Sequence, residues 1–231
     1  MDRNFLDDYF KMEREHWWFR VREGIILDQF KTSVHKTVPL QILNVGAATG
    51  RSSEMLEPFG IVQSIEYDEP SYRFCHDVLK MKIDQGSITE LPYPDNAFDC
   101  VCAFDVVEHV EEPLELMSIL CDKLRVNGQL YVSTPYEGSV HFPKLKKGCL
   151  NFYDDPTHLR PFEISSFAQS LPENIVVSKH IARNHGSIWL FALGMFLWPY
   201  TAITKRATPW TWYAYGFETV LILKKEDTHA C

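Results

Sequence analysis

The stretch Ile42-Leu43-Asn44-Val45-Gly46-Ala47-Ala48-Thr49-Gly50-Arg51 decides the fold of this chain of 231 residues. An apolar run ends at Gly46, small residues follow, and a helix is predicted to begin near Arg51. Such a turn presents free backbone N–H groups and a helix N-terminus to the space above the strand. Because small side chains let a ligand approach the backbone closely, the stretch predicts a nucleoside-binding loop.

A second apolar run, Ile61-Val62-Gln63-Ser64-Ile65, ends at Glu66. An acid at the end of the next strand is placed to accept both hydrogen bonds of a ribose diol. Asp68 and Glu69 lie beside Glu66, so a solvated acidic cluster is the alternative interpretation.

Alternation of predicted strands and helices from Gln41 onward favours an α/β fold with parallel pairing and helices on both faces. We expect one doubly wound domain, Rossmann-like, with a mostly parallel seven-stranded sheet. Two helices precede the sheet within residues 1–35, and a hydrophobic insert precedes the last strand. After the first two strands, the remaining strands are predicted at 80–84, 100–104, 129–133, 175–181 and 217–224; helices are predicted at 71–79, 113–124 and 163–171.

The expected single domain, 1–231, has four parts. An N-terminal helical cap covers 1–38, and a cofactor-binding core covers 39–135. A substrate-side loop, helix, strand and hydrophobic insert cover 136–216, and the last strand and tail cover 217–231.

The amino-acid composition limits which binding partners and metal sites are expected. With 45% hydrophobic residues the chain can bury one sizeable core, and its formal charge of −8 argues against nucleic acid, which needs a basic face. The 6 cysteines lack the paired spacing of a zinc site, so no metal site is predicted. Reduced thiols and a polar, acidic N-terminus unlike a secretory signal lead us to expect a cytoplasmic protein.

Further motifs follow the loop in a recognisable order. Gly86-Ser87-Ile88-Thr89-Glu90-Leu91-Pro92 leads to the fourth strand, which is followed by Asp105-Val106-Val107-Glu108-His109-Val110; Asn127-Gly128 then precedes a strand ending in Thr134-Pro135. Over residues 40–135 the chain resembles class I S-adenosylmethionine-dependent methyltransferases, in the small-molecule branch of ubiquinone and sugar methylases. The segments 16–20 and 156–162 also look like this branch.

The resemblance implies a cofactor site for S-adenosylmethionine. Gly46, Ala47 and Gly50 would line the loop. Glu66, with Tyr67 beside it, would bind the ribose, while Ser87 and Ile88 would meet the adenine. Ala103, Phe104 and Asp105 would flank the methionine part, and Arg20 would pair with its carboxylate. Asn44 and Ser87 stand where the family usually has acids, and Ala48 stands in place of a glycine, so weaker cofactor contacts are expected.

Two histidines are candidate catalytic residues. An oxygen nucleophile needs a base, and histidine can remove a hydroxyl proton near neutral pH. We predict that His158 is this base or a substrate anchor, oriented by Asp154, Asp155 or Glu108. The alternatives are that His158 only organises its loop and that His109 only caps the top of the fourth strand.

The segment 187–215 is rich in tryptophan, tyrosine and apolar residues and contains Lys205-Arg206. Its continuous apolar run of about a dozen residues is shorter than the roughly 20 that span a bilayer. Two interpretations stay open. The segment is a buried lid or dimer surface, and we favour a hydrophobic lid that also holds a lipid-like or lipid-linked acceptor. Alternatively, it lies at the cytoplasmic face of a membrane, with its tryptophans and tyrosines in the interface.

Three function classes follow. The favoured one is a methyltransferase acting on a small-molecule, lipid-linked or glycan-linked acceptor, with oxygen as the expected methyl-receiving atom. A nicotinamide (NAD)-dependent oxidoreductase on the same sheet is the second, although no Tyr-x-x-x-Lys pair follows the fourth strand. A catalytically silent nucleoside-binding partner protein is the third. The acceptor and the oligomeric state stay open.

Overall fold

The computed structural model describes residues 3–15, 17–33, 39–142, 144, 151–183, 192–193, 196–197, 199–200, 203–204 and 218–227. In chain order the elements are α1 (Arg3–Glu15), α2 (Trp17–Ser33), β1 (Leu40–Val45), α3 (Arg51–Leu56), β2 (Gly60–Glu66), α4 (Glu69–Arg73), β3 (Asp84–Gln85), β4 (Phe98–Phe104), α5 (Pro113–Lys123), β5 (Leu124–Pro135), α6 (Ile164–Gln169), β6 (Ile175–Arg183) and β7 (Glu218–Lys225). Short 3₁₀ turns include Val107–His109 and Phe152–Asp154.

The strands form one seven-stranded sheet in the order β3-β2-β1-β4-β5-β7-β6. The strands β1 to β5 pair in parallel, whereas β7 runs antiparallel to both β5 and β6. The carboxyl ends of β1, β2, β4 and β5 therefore meet at one edge of the sheet, which we call the rim. Since Glu218 pairs with Pro135, the start of β7 also lies at the rim. The predicted fold class is confirmed.

Apolar side chains cover both faces of the sheet. On one face, Ile25, Ile26 and Phe30 of α2 pack with Met55 and Leu56 of α3 against β1, β4, β5 and β7. The ring of Phe30 stacks on Tyr131, with 4.3 Å between centroids. Burying each such side chain stabilises the fold by about 1.5–3 kcal/mol. The helix α2 is therefore part of the sheet packing, and this anchors the N-terminal segment beside the rim.

The opposite face is covered mainly by α5. Its buried residues Leu116, Met117 and Leu120 pack with Leu43, Val101 and Leu130 of the central strands, and Phe167 of α6 joins the same core. These positions recur at helical spacing, so one stripe of α5 faces the sheet. The two cores together hold β1 and β4 near the centre of the sheet. The glycine-containing loop follows β1, and Asp105 follows β4.

Two predicted strands differ from the observed ones. The strand predicted at 80–84 is wrong over most of its length, because Lys80 has φ +57° and Met81 N donates to Cys75 O, which closes the preceding helical turn. Only Asp84 and Gln85 pair with β2. The fifth strand begins earlier than predicted, since Leu124 already pairs with Phe98 before the register shifts.

Of the predicted insert 187–215, residues 192–193, 196–197, 199–200 and 203–204 are described, and the remainder lies outside the described residues. Phe196 and Ile203 are 79% and 80% exposed, and Leu193 and Tyr200 are also exposed. Within the described ranges, no helix has the length and apolar character needed to cross a bilayer.

Candidate active site

The loop after β1 has an unusual backbone conformation. Gly46, Ala48 and Gly50 all have positive φ, at 74°, 47° and 84°. Gly46 N and Ala47 N both donate to Ile65 O, at 3.0 and 3.3 Å, and Gly50 N donates to Ala47 O at 2.7 Å. The loop is therefore held against the end of β2, and α3 begins directly after Gly50.

Neighbouring side chains explain why glycine occupies two of these positions. A Cβ atom on Gly46 would lie 2.5 Å from Val106 Cγ2, and one on Gly50 would clash with Met81 Sδ. Real Cβ atoms do not approach other atoms so closely. The sequence predicted that these glycines admit a ligand, and the structure adds that packing inside the protein also requires them.

The carboxylate of Glu66 faces the loop. Its Oε2 accepts a hydrogen bond from Ala48 N at 2.7 Å, and its Oε1 accepts one from Asp68 N at 2.8 Å. The side chain is 8% exposed, and burial raises its pKa while the backbone donors oppose that shift. Because a carboxylate offers about four acceptor directions, the backbone donors do not use all of them, and acceptor capacity remains for a ribose hydroxyl. The residue thus fits the nucleoside role better than that of a solvated acid.

Asn44 is fully buried below the loop. Its Nδ2 donates to Ser52 Oγ and to Ser53 Oγ, both at 2.9 Å, and Ser53 Oγ contacts Ser64 Oγ at 2.8 Å. Its Oδ1 has no hydrogen-bond partner among the described residues. A buried carbonyl oxygen without a donor costs free energy, so a bound ammonium group would satisfy it. This orphaned atom fits the amino group of S-adenosylmethionine.

The predicted adenine and ribose residues lie near the ends of β2 and β3. Gly86 N donates to Glu66 O at 3.1 Å. This bond places the next two residues, Ser87 and Ile88, beside the end of β2, where Glu66 lies. Ser87 Oγ accepts from Thr89 N at 3.2 Å and so stabilises its own turn. Tyr67 is 70% exposed, and its ring is free to cover a bound nucleoside.

The predicted methionine side of the site is the end of β4. Ala103 and Phe104 are buried, whereas the side chain of Asp105 is 26% exposed and its φ is +53°. Asp105 is held by an arginine two positions after the predicted one: Arg22 Nη2 lies 2.9 Å from Asp105 Oδ2. Arg20 is exposed on α2, so its predicted contact with the cofactor carboxylate stays a prediction.

Polar contacts tie the N-terminal helices to the loop. Thr49 donates to Glu13, Arg14 pairs with Glu54 at 2.5 Å, and Arg51 pairs with Glu23 at 2.5 Å. Glu13 is 7% exposed, and burial raises its pKa to about 7. Sequence reasoning missed these residues, because their partners are 28 to 40 residues away along the chain.

Two further carboxyl groups are buried at the rim. Glu108 Oε2 accepts from Thr134 Oγ1 at 3.2 Å, and Glu218 Oε1 accepts from Arg22 Nε at 2.7 Å. Burial raises the pKa of Glu108 well above 4.5 and that of Glu218 to about 8. Oxygens Oε1 of Glu108 and Oε2 of Glu218 have no hydrogen-bond partner within the described ranges. The rim thus holds more carboxyl groups than Arg22 alone can neutralise.

The two predicted catalytic histidines lie together, with 4.9 Å between ring centroids. His158 Nδ1 lies 2.7 Å from Phe152 O, so this nitrogen carries the hydrogen and donates, leaving Nε2 as an acceptor. Burial lowers the pKa of His158 below 6.5 despite Asp155, whose Oδ2 lies 4.0 Å from Nε2. His109 Nδ1 donates to Thr157 O at 3.2 Å and so supports the same loop.

Of the three residues predicted to orient His158, Asp155 and Glu108 are near it. Asp154 instead accepts from Asn151 N at 2.9 Å and caps its own turn. Glu108, His109 and His158 bring one potential ligand atom each within 4.8 Å of one another. No metal site was predicted from the sequence; this cluster has the donor types of a divalent-cation site. Glu108 and His109 are adjacent in the sequence, and the fold brings the distant His158 to them.

Comparison with known proteins agrees with this geometry. Residues 43–132 match the model of a methyltransferase domain family. A probable S-adenosylmethionine-dependent methyltransferase of Mycolicibacterium smegmatis is 27% identical over 126 residues, 54% of this chain and 48% of that protein. The mitochondrial ubiquinone biosynthesis O-methyltransferase of Dictyostelium discoideum is 25% identical over 167 residues, 55% of this chain and 51% of that protein. The chain spans about half the length of these relatives.

Solved structures share the fold. A SAM-dependent methyltransferase from Archaeoglobus fulgidus superposes with a TM-score of 0.59 at 19% identity, covering 97% of this chain and 100% of the other. The methyltransferase-domain match and the curated relatives support the predicted class I S-adenosylmethionine-dependent methyltransferase family, and the solved structure supports its fold. The predicted enzyme class and the predicted methyl donor, S-adenosylmethionine, agree with these matches.

Proposed function

We propose that this protein transfers the methyl group of S-adenosylmethionine to a hydroxyl oxygen of a small-molecule acceptor, with His158 as the base. The observation that carries the proposal is the hydrogen bond from His158 Nδ1 to Phe152 O, which leaves Nε2 without a hydrogen. An unprotonated imidazole nitrogen beside the rim is what an oxygen nucleophile requires.

Residues of the loop and rim would hold the donor. Glu66 would accept hydrogen bonds from the ribose hydroxyls, and Asn44 Oδ1 would accept one from the amino group. Asp105 would lie beside the methionine part, where strand ends of open α/β sheets bind ligands. When bound, S-adenosylmethionine supplies an electrophilic methyl group on a positively charged sulfur.

His158 would act on the acceptor. Its Nε2 takes the hydroxyl proton as the oxygen–methyl bond forms and the sulfur–methyl bond breaks. The imidazolium that results lies near Asp155. Partial burial raises the pKa of Asp155, but hydrogen bonds from Thr157 outweigh that effect and lower the pKa below its usual value. Asp155 is therefore ionised at neutral pH and stabilises the charge that develops on His158.

Calorimetry tests the donor. We expect the protein to bind S-adenosylmethionine and its demethylated product, and not NAD. Binding of NAD alone would support the oxidoreductase interpretation and overturn the proposal. Binding of the nucleosides without methyl transfer to any hydroxyl-bearing acceptor in a radiolabelled-methyl screen would support the silent partner protein.

A substitution tests the base. Once an acceptor is found, His158→Gln should lower kcat by about 10²–10⁴-fold, the usual contribution of a general base. Binding of S-adenosylmethionine should be unchanged. The matched control is His180→Gln, because His180 is an exposed histidine on β6. Full turnover by His158→Gln would rule out the base assignment.

A second proposal concerns the insert 187–215, for which we propose contact with an anionic membrane surface that presents a lipid- or glycan-linked acceptor. The exposed side chains of Leu193, Phe196, Tyr200 and Ile203 recur at helical spacing, which supports an apolar stripe facing outward. Residues 184–217 contain Lys205 and Arg206 but no Asp or Glu, in a chain of net charge −8. This local charge favours anionic headgroups.

Vesicle flotation tests this contact. We expect the protein to float with vesicles containing anionic lipid and less with purely zwitterionic ones. Phe196→Asp should abolish flotation, whereas Leu114→Asp, which changes an exposed apolar residue on α5, should not. A dimer that Phe196→Asp converts to a monomer, without any flotation of the unaltered protein, would show a dimer surface instead.

A further inference from the structure

The guanidinium of Arg22 joins elements that are far apart in the sequence. Its Nε lies 2.7 Å from Glu218 Oε1, and its Nη2 lies 2.9 Å from Asp105 Oδ2 and donates to Ser133 Oγ at 3.0 Å. These three partners stand at the start of β7, after the end of β4 and near the end of β5. A side chain of α2 thus contacts three consecutive strand ends of the rim.

Asp105 is the partner that links Arg22 to the reaction. Its φ of +53° is a left-handed conformation, which costs an L-residue about 1–2 kcal/mol. Ser133 Oγ donates to Asp105 Oδ1 at 3.1 Å, and Asp105 N donates to Ser133 O at 2.9 Å. Strained backbone of this kind persists only when surrounding contacts hold it. Arg22 supplies one of those contacts and also bonds the hydroxyl of Ser133.

The turn that Asp105 begins leads to the histidine pair. Val107–His109 follows as one 3₁₀ turn, and Leu159 N donates to Glu108 O at 2.9 Å, which joins this turn to the loop of His158. Displacement of Asp105 would therefore move the methionine side of the site and the support of the candidate base together.

We propose that Arg22 is a positioning residue for methyl transfer: it holds Asp105 in its left-handed conformation and thereby fixes the rim against which S-adenosylmethionine binds. The inference rests on the proposed function. Arg22 acts through Asp105, so this ion pair couples α2 to the methionine side of the site in addition to the contacts between the N-terminal helices and the loop.

Arg22→Lys is the test variant, because lysine keeps the charge but cannot reach three partners with a fixed planar fork. Arg125→Lys is the matched control, since Arg125 pairs with Asp99 at the opposite end of β4 from Asp105. We expect Arg22→Lys to weaken the binding of S-adenosylmethionine at least 10-fold by calorimetry and Arg125→Lys to change it less than 2-fold.

A double-mutant cycle with Asp105→Asn separates positioning from a structural role. In the Asp105→Asn background, Arg22→Lys should cause less than a 2-fold further loss of binding, because the group it positions is already altered. An undiminished 10-fold loss there, or equal losses in Arg22→Lys and Arg125→Lys, would overturn the inference while leaving the proposed function intact. Failure of the unaltered protein to bind S-adenosylmethionine would overturn both.

Discussion

Replacement of Gly46 by alanine should destabilise the protein through two separate effects. Gly46 has φ +74°, and a left-handed conformation costs an L-residue about 1–2 kcal/mol. The new Cβ would lie 2.5 Å from Val106 Cγ2, and overpacking of a buried site costs about 1–3 kcal/mol. Alanine restricts the unfolded chain and returns about 0.4–1 kcal/mol. The free energy of unfolding should fall by about 1–4.5 kcal/mol, the net of these three terms.

Urea denaturation followed by tryptophan fluorescence measures this change. Val106→Ala removes the contacting methyl groups, so the double variant should lose about 1–3 kcal/mol less than the sum of the two single variants. Gly24→Ala is the control, because Gly24 lies in α2 and a Cβ there meets nothing within 4 Å. That substitution should stabilise the protein by about 0.5–1 kcal/mol.

Two outcomes would refute the reasoning. If Gly46→Ala is as stable as the unaltered protein, neither strain nor the Val106 contact limits this position. If the two single substitutions are additive, the Val106 contact is not the source of the loss. Stability equal to that of the unaltered protein, combined with lost binding of S-adenosylmethionine, would show that the ligand alone requires glycine.

Three further predictions concern the loop and the histidine cluster. Ala48→Gly should raise the free energy of unfolding by up to about 1 kcal/mol in urea denaturation, because it relieves the left-handed conformation at φ 47°; a clear loss of stability would contradict this. The pKa of His158 is lowered by burial, so kcat/KM should rise with pH through a midpoint below 6.5 and stay level above it, as the unprotonated base accumulates; a midpoint above 6.5 would count against His158. Treatment with EDTA should change the methyl-transfer rate by less than 2-fold, because His158 Nε2 must be free of a metal ion to act as a base. A loss of activity that Mg²⁺ or Zn²⁺ restores would show instead that Glu108, His109 and His158 hold a cation.

Local patterns predicted most of the sheet. The apolar runs ending at Gly46 and Glu66 are β1 and β2. The loop directly after β1 has the small residues that positive φ and close packing require. Ile25, Ile26 and Phe30 recur at helical spacing, and all three are buried. Such features depend on neighbours within one turn or one strand, and periodicity reports them directly.

Local sequence patterns could not predict which distant segments pair in the sheet. Insertion of β7 between β5 and β6 depends on contacts between distant segments, and the short β3 depends on where the helical turn at Lys80 closes. The arginine at the rim shows the same difficulty. Arg20 and Arg22 are both arginines of α2, two positions apart, and local patterns do not distinguish them. Only the packing of α2 against the sheet decides that Arg22 faces the carboxylates.

The antiparallel return of β7 has a consequence for biosynthesis. Arg22 and Glu218 are 196 residues apart, yet they are hydrogen-bonded at the rim. During translation the guanidinium emerges before this carboxylate and stays without it until 196 further residues have been added. Because domains fold as units, a ribosome-stalled fragment ending before residue 218 should remain unable to capture the methyl donor.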